Sequence, residues 1–250
     1  MKRVGVAAAI TALALLAACG DADDSDTTLR VFAAASLGDL VSELAIAFEA
    51  HSDSGADMAI VVNAAGSSTL RLQLDEGAAA DVFAPADTEQ LRLLDVPTAG
   101  DPTVFATNRL VSAHRADEPP IGIERFDDAD LLLGACAPSV PCGAYATAAF
   151  EAAGVEPSLD TQEPDVRSLA SKIAEGELDA GLVYATDVFA DSRLALVELP
   201  SSSDVQALDV VYPVVQLADA GSPGLANAFI GFLTTETART IIADHGFGLP

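Results

Sequence analysis

The chain has 250 residues, half of them hydrophobic, so it is long enough to bury a sizeable core in one large domain or in two lobes. Its 38 acidic residues outnumber 12 Lys and Arg residues, and the formal net charge at pH 7 is −26. Binding to nucleic acid relies on clustered Lys and Arg, and only Lys2 and Lys172 are lysines, so this composition excludes a nucleic-acid partner.

The chain begins with the pattern of an export signal. Lys2 and Arg3 precede an apolar run over residues 4–18, which is shorter than the ~20 residues that a transmembrane helix needs. The run ends in "LAAC" at residues 16–19, which resembles the lipobox of bacterial lipoproteins. We therefore predict an exported protein that is held at the outer face of the cell membrane, or in the periplasm, by a lipid on Cys19. An ordinary secreted protein is the alternative.

The segment after Cys19 and the two remaining cysteines agree with export. The stretch "GDADDSDTT" after Cys19 has no bulky apolar residue and is predicted to be a flexible tether. Disulfides persist outside the cytoplasm, so Cys136 and Cys142 in "CAPSVPC" are predicted to form one. A zinc site is the alternative, but zinc needs more ligands than two and no histidine lies near these cysteines in the sequence.

The first part of the folded chain alternates short apolar runs with helical patterns. Strands are predicted at 29–34, 58–62 and 81–84, and helices at 37–50, 67–76 and 87–94. This βαβαβα order predicts a parallel sheet.

The same alternation resumes in the second half of the chain. Strands are predicted at 131–136 and 180–185, and helices at 142–153 and 165–175, with two more helices inside 222–244. Two longer strand patterns, 103–114 and 208–218, could cross between two sheets. Together these elements predict a discontinuous α/β architecture with two lobes.

The predicted boundaries follow from these segments. They are a signal peptide over 1–18, a lipidated cysteine and tether over 19–28, a first lobe from 28–106 plus 214–250, and a second lobe from 107–213.

Four predicted helices begin directly after a loop. Ser36 is predicted at the N-cap of the first, where "SLGD" matches a capping box in which Asp39 folds back on the Ser36 N–H. The other starts lie at Ser67, Cys142 and Asp165–Val166. Each has a plain capping explanation. In α/β sheets, however, ligands gather at strand carboxyl ends, and helix N-termini there suit anions.

At these residues the chain resembles the molybdate-binding proteins of bacterial molybdate ABC transporters, a branch of the type II periplasmic-binding fold. The matching motifs, in order, are "VFAAASL", "GSSTLRLQLDEGAAADVFAPAD", "VPCGAYATAAFEAAG", "DVRSLASKIAEGELDAGLVYATD", "YPVV" and "HGFGLP". The resemblance implies a cleft between two lobes that encloses molybdate or tungstate, with no other cofactor. It also implies a permease and an ATPase as partners, and we expect the binding protein to be a monomer.

The resemblance also implies which residues hold the anion. Ser36 and Ser67 would supply backbone N–H and hydroxyl, Cys142 and Val166 backbone N–H, and Tyr184 its phenol O–H. The chain departs from the family's commoner pattern at two places. Cys142 stands where alanine is usual, which a backbone donor tolerates, and Gly66 replaces a serine, which we expect to affect only the stiffness of its loop.

None of these five residues is charged, so the fixed dipoles of N–H and O–H groups would have to determine which anion binds. Distant carboxylates matter little in a closed cleft, because salt screens charges over ~8 Å. Donors without an acceptor suit a fully deprotonated dianion such as molybdate, tungstate or sulfate, whereas protonated phosphate would require a carboxylate. Asp39, Asp165 and Asp187 lie near the site residues in sequence and weaken that exclusion. The preference for molybdate over sulfate rests on the resemblance.

A serine hydrolase is the competing class. Ser36 or Ser67 would be the nucleophile, and His51, His114 or His245 the base. The pattern G-x-S-x-G is absent, so we expect no enzyme and interpret the histidines as surface or helix-end residues.

Two further alternatives concern metal and transport. Asp81 and Asp87 flank "VFAPA" and could be metal ligands, but we interpret them as turn and cap residues. A sensory or structural lipoprotein would share every feature above, and neighbouring genes for a permease and an ATPase would distinguish a transport component from it.

Overall fold

The computed structural model describes residues 28–51, 58–200 and 209–250. The predicted signal peptide, Cys19 and the tether up to residue 27 lie outside these ranges. Within them, no helix combines the length and the apolar character that crossing a membrane requires.

The described residues form ten strands and eight α-helices. The strands are β1 (Thr28–Ala34), β2 (Ala59–Ala65), β3 (Val82–Ala84), β4 (Thr98–Asn108), β5 (Leu110–Arg115), β6 (Leu133–Cys136), β7 (Thr161–Glu163), β8 (Ala180–Tyr184), β9 (Leu194–Glu198) and β10 (Val210–Leu217). The helices are α1 (Gly38–His51), α2 (Ser67–Asp75), α3 (Glu89–Arg92), α4 (Pro141–Ala153), α5 (Val166–Ala174), α6 (Ala185–Ala190), α7 (Pro223–Phe232) and α8 (Glu236–Asp244).

The strands make two five-stranded sheets, as the two-lobed prediction requires. The first has the order β2-β1-β3-β10-β4, with β1 parallel to β2 and β3, and β10 antiparallel to β3 and β4. The second has the order β7-β6-β8-β5-β9, with β6 parallel to β7 and β8, and β5 antiparallel to β8 and β9. We call each sheet with its helices a lobe: the first lobe holds β1 to β4 and β10, and the second holds β5 to β9.

The chain passes between the lobes at Arg109. The long strand predicted at 103–114 is divided there, because β4 ends at Asn108 in the first sheet and β5 begins at Leu110 in the second. The segment predicted at 208–218 behaves differently. All the described pairing of β10, from Val210 onward, is with strands of the first sheet.

Packing of α1 shows how a helix start is held at the sheet edge. Its buried residues include Leu40, Leu44 and Phe48, which recur at helical spacing. The Phe48 ring lies 5.4 Å from the Phe229 ring and 5.5 Å from the Phe232 ring, both in α7. Each such buried side chain contributes about 1.5–3 kcal/mol, so the start of α1 is firmly fixed at the end of β1.

Ser36 does not cap α1 as predicted. It lies in a 3-10 turn, Ala35–Leu37, between β1 and α1, and no side chain caps that turn. Among the described residues no hydrogen bond joins Asp39 to the Ser36 N–H. The Asp39 carboxylate instead accepts a bond from Arg167 Nη2, 2.6 Å away. The predicted capping box is therefore wrong, because a partner from the other lobe competes for the carboxylate.

Candidate functional site

The carboxyl ends of six parallel strands meet between the two lobes. In the first lobe, β1, β2 and β3 end here, and in the second lobe β6, β7 and β8 do. Most of the segments that follow these strands enclose one small cavity. All five residues expected to hold the anion line it: Ser36, Ser67, Cys142, Val166 and Tyr184.

The size of this cavity limits what it can hold. The cavity has a volume of about 20 Å³, counted as the space that the centre of a water molecule can occupy. On the same measure, one water needs ~10–15 Å³. A cavity of this size can hold only a ligand of a few heavy atoms. A larger groove, about 620 Å³ in volume, lies beside α4, but only Cys136 among the residues singled out in the sequence lines it.

Three helix N-termini point their free N–H groups at the cavity. Ser67 is the first residue of α2, Val166 is the first of α5, and Cys142 follows Pro141 at the start of α4. N–H groups in a first helical turn have no acceptor within the helix, and the helix dipole adds partial positive charge. Three such starts around one cavity are an arrangement that suits an anion.

The Ser36 hydroxyl is oriented by residues behind it. Its Oγ lies 3.0 Å from Tyr212 Oη, and the Asn108 amide donates a 3.3 Å hydrogen bond to the same Tyr212 oxygen. Either hydroxyl can donate in the contact between Ser36 and Tyr212. When Tyr212 donates, the Ser36 O–H is left to donate into the cavity.

Ser67 has an equivalent arrangement. The Ala86 N–H donates a 3.1 Å hydrogen bond to the Ser67 hydroxyl oxygen, and the residue is only 2% exposed. The Ser67 O–H therefore also remains available as a donor. Ser67 thus accepts a bond from the protein and has a proton left to give to a ligand, and Ser36 has one when Tyr212 is the donor of their bond.

The hydroxyl of Tyr184 has no hydrogen-bond partner within the described ranges, although it is buried. The residue is 1% exposed and lines the cavity. Leaving such a group unpaired costs about 1–3 kcal/mol, so native structures rarely contain one without a reason. Burial raises the pKa of Tyr184 well above its ordinary value, so the phenol keeps its proton and is a donor.

The charged groups nearest the cavity contact one another or neighbouring protein groups, although Arg167 Nε and Asp187 Oδ1 have no hydrogen-bond partner among the described residues. Asp165 accepts 2.9 Å bonds from the Ser168 N–H and hydroxyl. Asp187 accepts a 3.1 Å bond from the Tyr184 N–H, and burial raises the pKa of Asp187 to about 7 against the opposing effect of Arg167. Arg167 Nε lies 3.5 Å from Asp187 Oδ1, and this arginine is not in the cavity wall.

The predicted disulfide is confirmed. Cys136 and Cys142 are bonded, which ties the end of β6 to the first turn of α4. Closing so short a loop contributes about 2 kcal/mol on the chain-entropy model. The bond also fixes the helix start that presents the Cys142 N–H to the cavity.

The histidines support no hydrolase. His51 ends α1 and His245 follows α8, where its Nε2 lies 2.7 Å from Glu43 Oε2. His114 was expected at the surface or a helix end, which is wrong: it is buried in β5, with Nδ1 2.8 Å from the Arg115 carbonyl oxygen. In the described ranges, no histidine is hydrogen-bonded to either cavity serine.

Asp81 and Asp87 bind backbone groups, as turn and cap residues do. Asp81 accepts from the N–H groups of Arg30 at 2.6 Å and Ser222 at 2.9 Å, which joins β1 to the start of α7. Asp87 accepts a 2.8 Å bond from the Gln90 N–H. No group of three or more His, Cys, Asp or Glu in the described part of the chain could hold a metal ion.

Sequence reasoning missed Tyr212 and Asn108, the two residues that orient Ser36. Tyr212 opens the quoted motif "YPVV", which was the available signal, but its contact with Ser36 spans 176 positions along the chain. Asn108 stands at the crossing between the sheets and also donates a 2.8 Å bond to Thr186 Oγ1 in the second lobe.

Two α/β lobes with an anion-sized cavity between helix N-termini define a solute-binding protein of the type II periplasmic-binding fold. The sequence profile of the bacterial extracellular solute-binding proteins matches residues 29–248. The chain belongs to this family, in the branch that contains the molybdate-binding proteins called ModA.

Three relatives illustrate the match. The chain is 32% identical to the molybdate-binding protein ModA of Mycobacterium bovis over the full length of both. It is 27% identical to the putative ABC transporter substrate-binding lipoprotein YvgL of Bacillus subtilis, over 96% of this chain and 95% of that protein. The periplasmic molybdate-binding protein of Azotobacter vinelandii shares the fold, with a TM-score of 0.71 and 20% identity over 89% of this chain and 99% of that one. At the family level these relatives are solute-binding proteins rather than enzymes.

Proposed function

We propose that this protein captures molybdate, and also tungstate, outside the cytoplasm and delivers it to the permease and ATPase of an ABC transporter. The observation that carries the proposal is the buried Tyr184 hydroxyl, which lines a cavity of about 20 Å³ and has no hydrogen-bond partner in the described part of the chain. The names of the M. bovis and A. vinelandii relatives support molybdate as the ligand.

The proposed ligand set consists of neutral donors from both lobes. Ser36 and Ser67 would donate through N–H and hydroxyl, Cys142 and Val166 through N–H, and Tyr184 through its phenol. An ion gripped from both sides stabilises the closed arrangement of the lobes, so binding is expected to raise thermal stability.

The polarity of the donors favours a fully deprotonated dianion. The Ser67 oxygen already accepts a hydrogen bond from the Ala86 N–H, and we infer that Ser36 accepts from Tyr212 when the anion is bound, which leaves both serine protons for the ligand. The Asp165 carboxylate at the cavity wall is engaged by Ser168. A protonated phosphate would have to share the Asp165 carboxylate with Ser168 in order to place its own proton, whereas a fully deprotonated dianion needs only the donors.

We also propose the cellular setting that the first residues predict. A signal peptide over residues 1–18 would direct export, and the lipid on Cys19 would hold a monomeric binding protein near its permease. The word lipoprotein in the name of the B. subtilis relative supports this anchor. The lobe boundaries predicted from the sequence, 28–106 with 214–250 and then 107–213, belong to the same proposal, although β4 and β10 extend the first sheet to Asn108 and begin it again at Val210.

Calorimetric titration of the chain from Gly20 onward tests the function, because it keeps the whole folded part and leaves out the anchor. Molybdate and tungstate are expected to bind tightly, sulfate more weakly and phosphate not at all. An equal response to sulfate would remove the claim of selectivity. If none of the four anions bound, the proposed function would be wrong.

A further inference from the structure

Gly66 stands beside the cavity at a close approach of the two lobes. It precedes α2 in the first lobe and faces the Pro164 carbonyl of the second lobe. A methyl group on the Gly66 Cα would lie 2.7 Å from the Pro164 oxygen and 3.5 Å from Asp165 Cβ. The first distance is well inside van der Waals contact, which for carbon atoms is optimal at ~3.5–4.0 Å, so a side chain here would push the backbones apart.

The backbone conformation of Gly66 does not itself require glycine. Its φ of −54° and ψ of 132° lie in an extended region that any residue adopts. Gly77, after the end of α2, is the opposite case: its φ is +93°, and a methyl group there would meet nothing within 4 Å. Glycine is therefore needed at position 66 because the second lobe lies so close, and not because of the backbone conformation.

Other contacts around Gly66 join the same two surfaces. The Ser68 hydroxyl donates a 2.7 Å hydrogen bond to the Ser139 carbonyl of the second lobe. Gly66 and Ser68 therefore flank Ser67 on both sides with contacts across the cleft. The depth of this approach sets how far Ser67 lies from the N–H groups of Cys142 and Val166.

We propose that Gly66 is a positioning residue that sets how far the lobes close on the bound anion; this inference rests on the proposed function. With a side chain at this position, closure would stop several tenths of an ångström short. Hydrogen bonds longer than about 3.2 Å are weak, so donors from the two lobes would no longer reach one small ion together. This proposal goes beyond the expectation that the exchange of serine for glycine affects only the stiffness of the loop.

The test compares Gly66→Ala with Gly224→Ala in the chain from Gly20 onward. Gly224 also lies at the start of a helix in the first lobe, but a methyl group there meets nothing within 4 Å. Molybdate affinity is measured by calorimetry, and thermal unfolding is followed with and without molybdate. Gly66→Ala is expected to bind about tenfold to a hundredfold more weakly, as losing one hydrogen bond to a charged group predicts. Its unfolding temperature without ligand should match the wild type, because open lobes relieve the clash.

The outcomes separate this inference from the function on which it rests. If wild type binds molybdate and Gly66→Ala binds equally well, the inference is wrong and the proposed function stands. If ligand-free Gly66→Ala loses as much thermal stability as the molybdate complex does, the role of Gly66 is structural and the inference is again overturned. If wild type itself does not bind molybdate, both proposals fail. An equal loss of affinity in Gly224→Ala would also contradict a role specific to Gly66.

Discussion

The two lobes present different mixtures of donors to the same cavity. The first lobe contributes the hydroxyls of Ser36 and Ser67, each hydrogen-bonded to a residue behind it, together with the N–H at the start of α2. The second contributes N–H groups at the starts of α4 and α5, together with one phenol that has no hydrogen-bond partner among the described residues. Side-chain donors depend on residue type, whereas backbone donors depend only on where a helix begins. Side-chain substitutions in the first lobe should therefore weaken binding more than those in the second lobe. Tyr184 is the exception in the second lobe.

Replacing both serines is expected to cause the largest loss of molybdate affinity. Ser36→Ala with Ser67→Ala should weaken molybdate binding roughly 10²–10⁴-fold, from about 1.5–3 kcal/mol for each hydrogen bond to a charged group. Calorimetry measures the affinity, and thermal unfolding without ligand shows whether the double variant remains folded. A folded variant with wild-type affinity would mean that neither hydroxyl touches the anion.

Tyr184→Phe is expected to have the next largest effect. Losing the phenol O–H should reduce molybdate affinity about tenfold to a hundredfold. The ligand-free protein should be as stable as the wild type or more so, because the change removes a buried group without a partner. Calorimetry and thermal unfolding give the two values. A marked loss of ligand-free stability with unchanged affinity would contradict the donor role.

Tyr212→Phe tests whether the residues behind Ser36 matter for binding. Ser36 would keep its hydroxyl but lose the donor that orients it, so affinity should fall by a smaller factor, about threefold to tenfold. Asn108 would lose one acceptor but keep its bond to Thr186. Titration of this variant beside Ser36→Ala shows whether the two losses overlap. Fully additive losses would indicate that Tyr212 acts independently of Ser36.

The disulfide should influence stability far more than affinity. Cys136→Ala with Cys142→Ala is expected to lower the free energy of unfolding by about 2 kcal/mol, since a loop constraint on the unfolded chain is lost. Affinity should change by less than about twofold, because the double variant would present the same backbone N–H at the start of α4. Denaturant unfolding and calorimetry measure the two effects. A large affinity loss in a well-folded variant would show that the cysteine side chain itself contributes.

The parts of the site that could be predicted are those encoded locally. The apolar spacing of α1 and α2 and the strands before them place Ser36 and Ser67 at neighbouring strand ends, because the strands are parallel. Cys142 and Val166 follow from Pro141 and Asp165, which mark helix starts. Short-range patterns of this kind are sufficient wherever one helix or one turn decides the geometry.

The parts that could not be predicted depend on contacts distant in sequence. The competition of Arg167 for Asp39 and the approach of Pro164 to Gly66 both arise from how the lobes close. The strands β7 and β9 and the helix α6 were not predicted, because each has six residues or fewer and little periodic pattern to detect. Tyr212 was in a recognised motif, but only the packed sheet brings its hydroxyl to Ser36.

A crystal structure of the protein grown with molybdate tests the central claim most directly. The account predicts the anion between the lobes, bound by the hydroxyls of Ser36, Ser67 and Tyr184 and by the N–H groups of Cys142 and Val166, with no basic side chain in contact. Molybdate bound elsewhere, or held by Arg167 or another arginine, would contradict it.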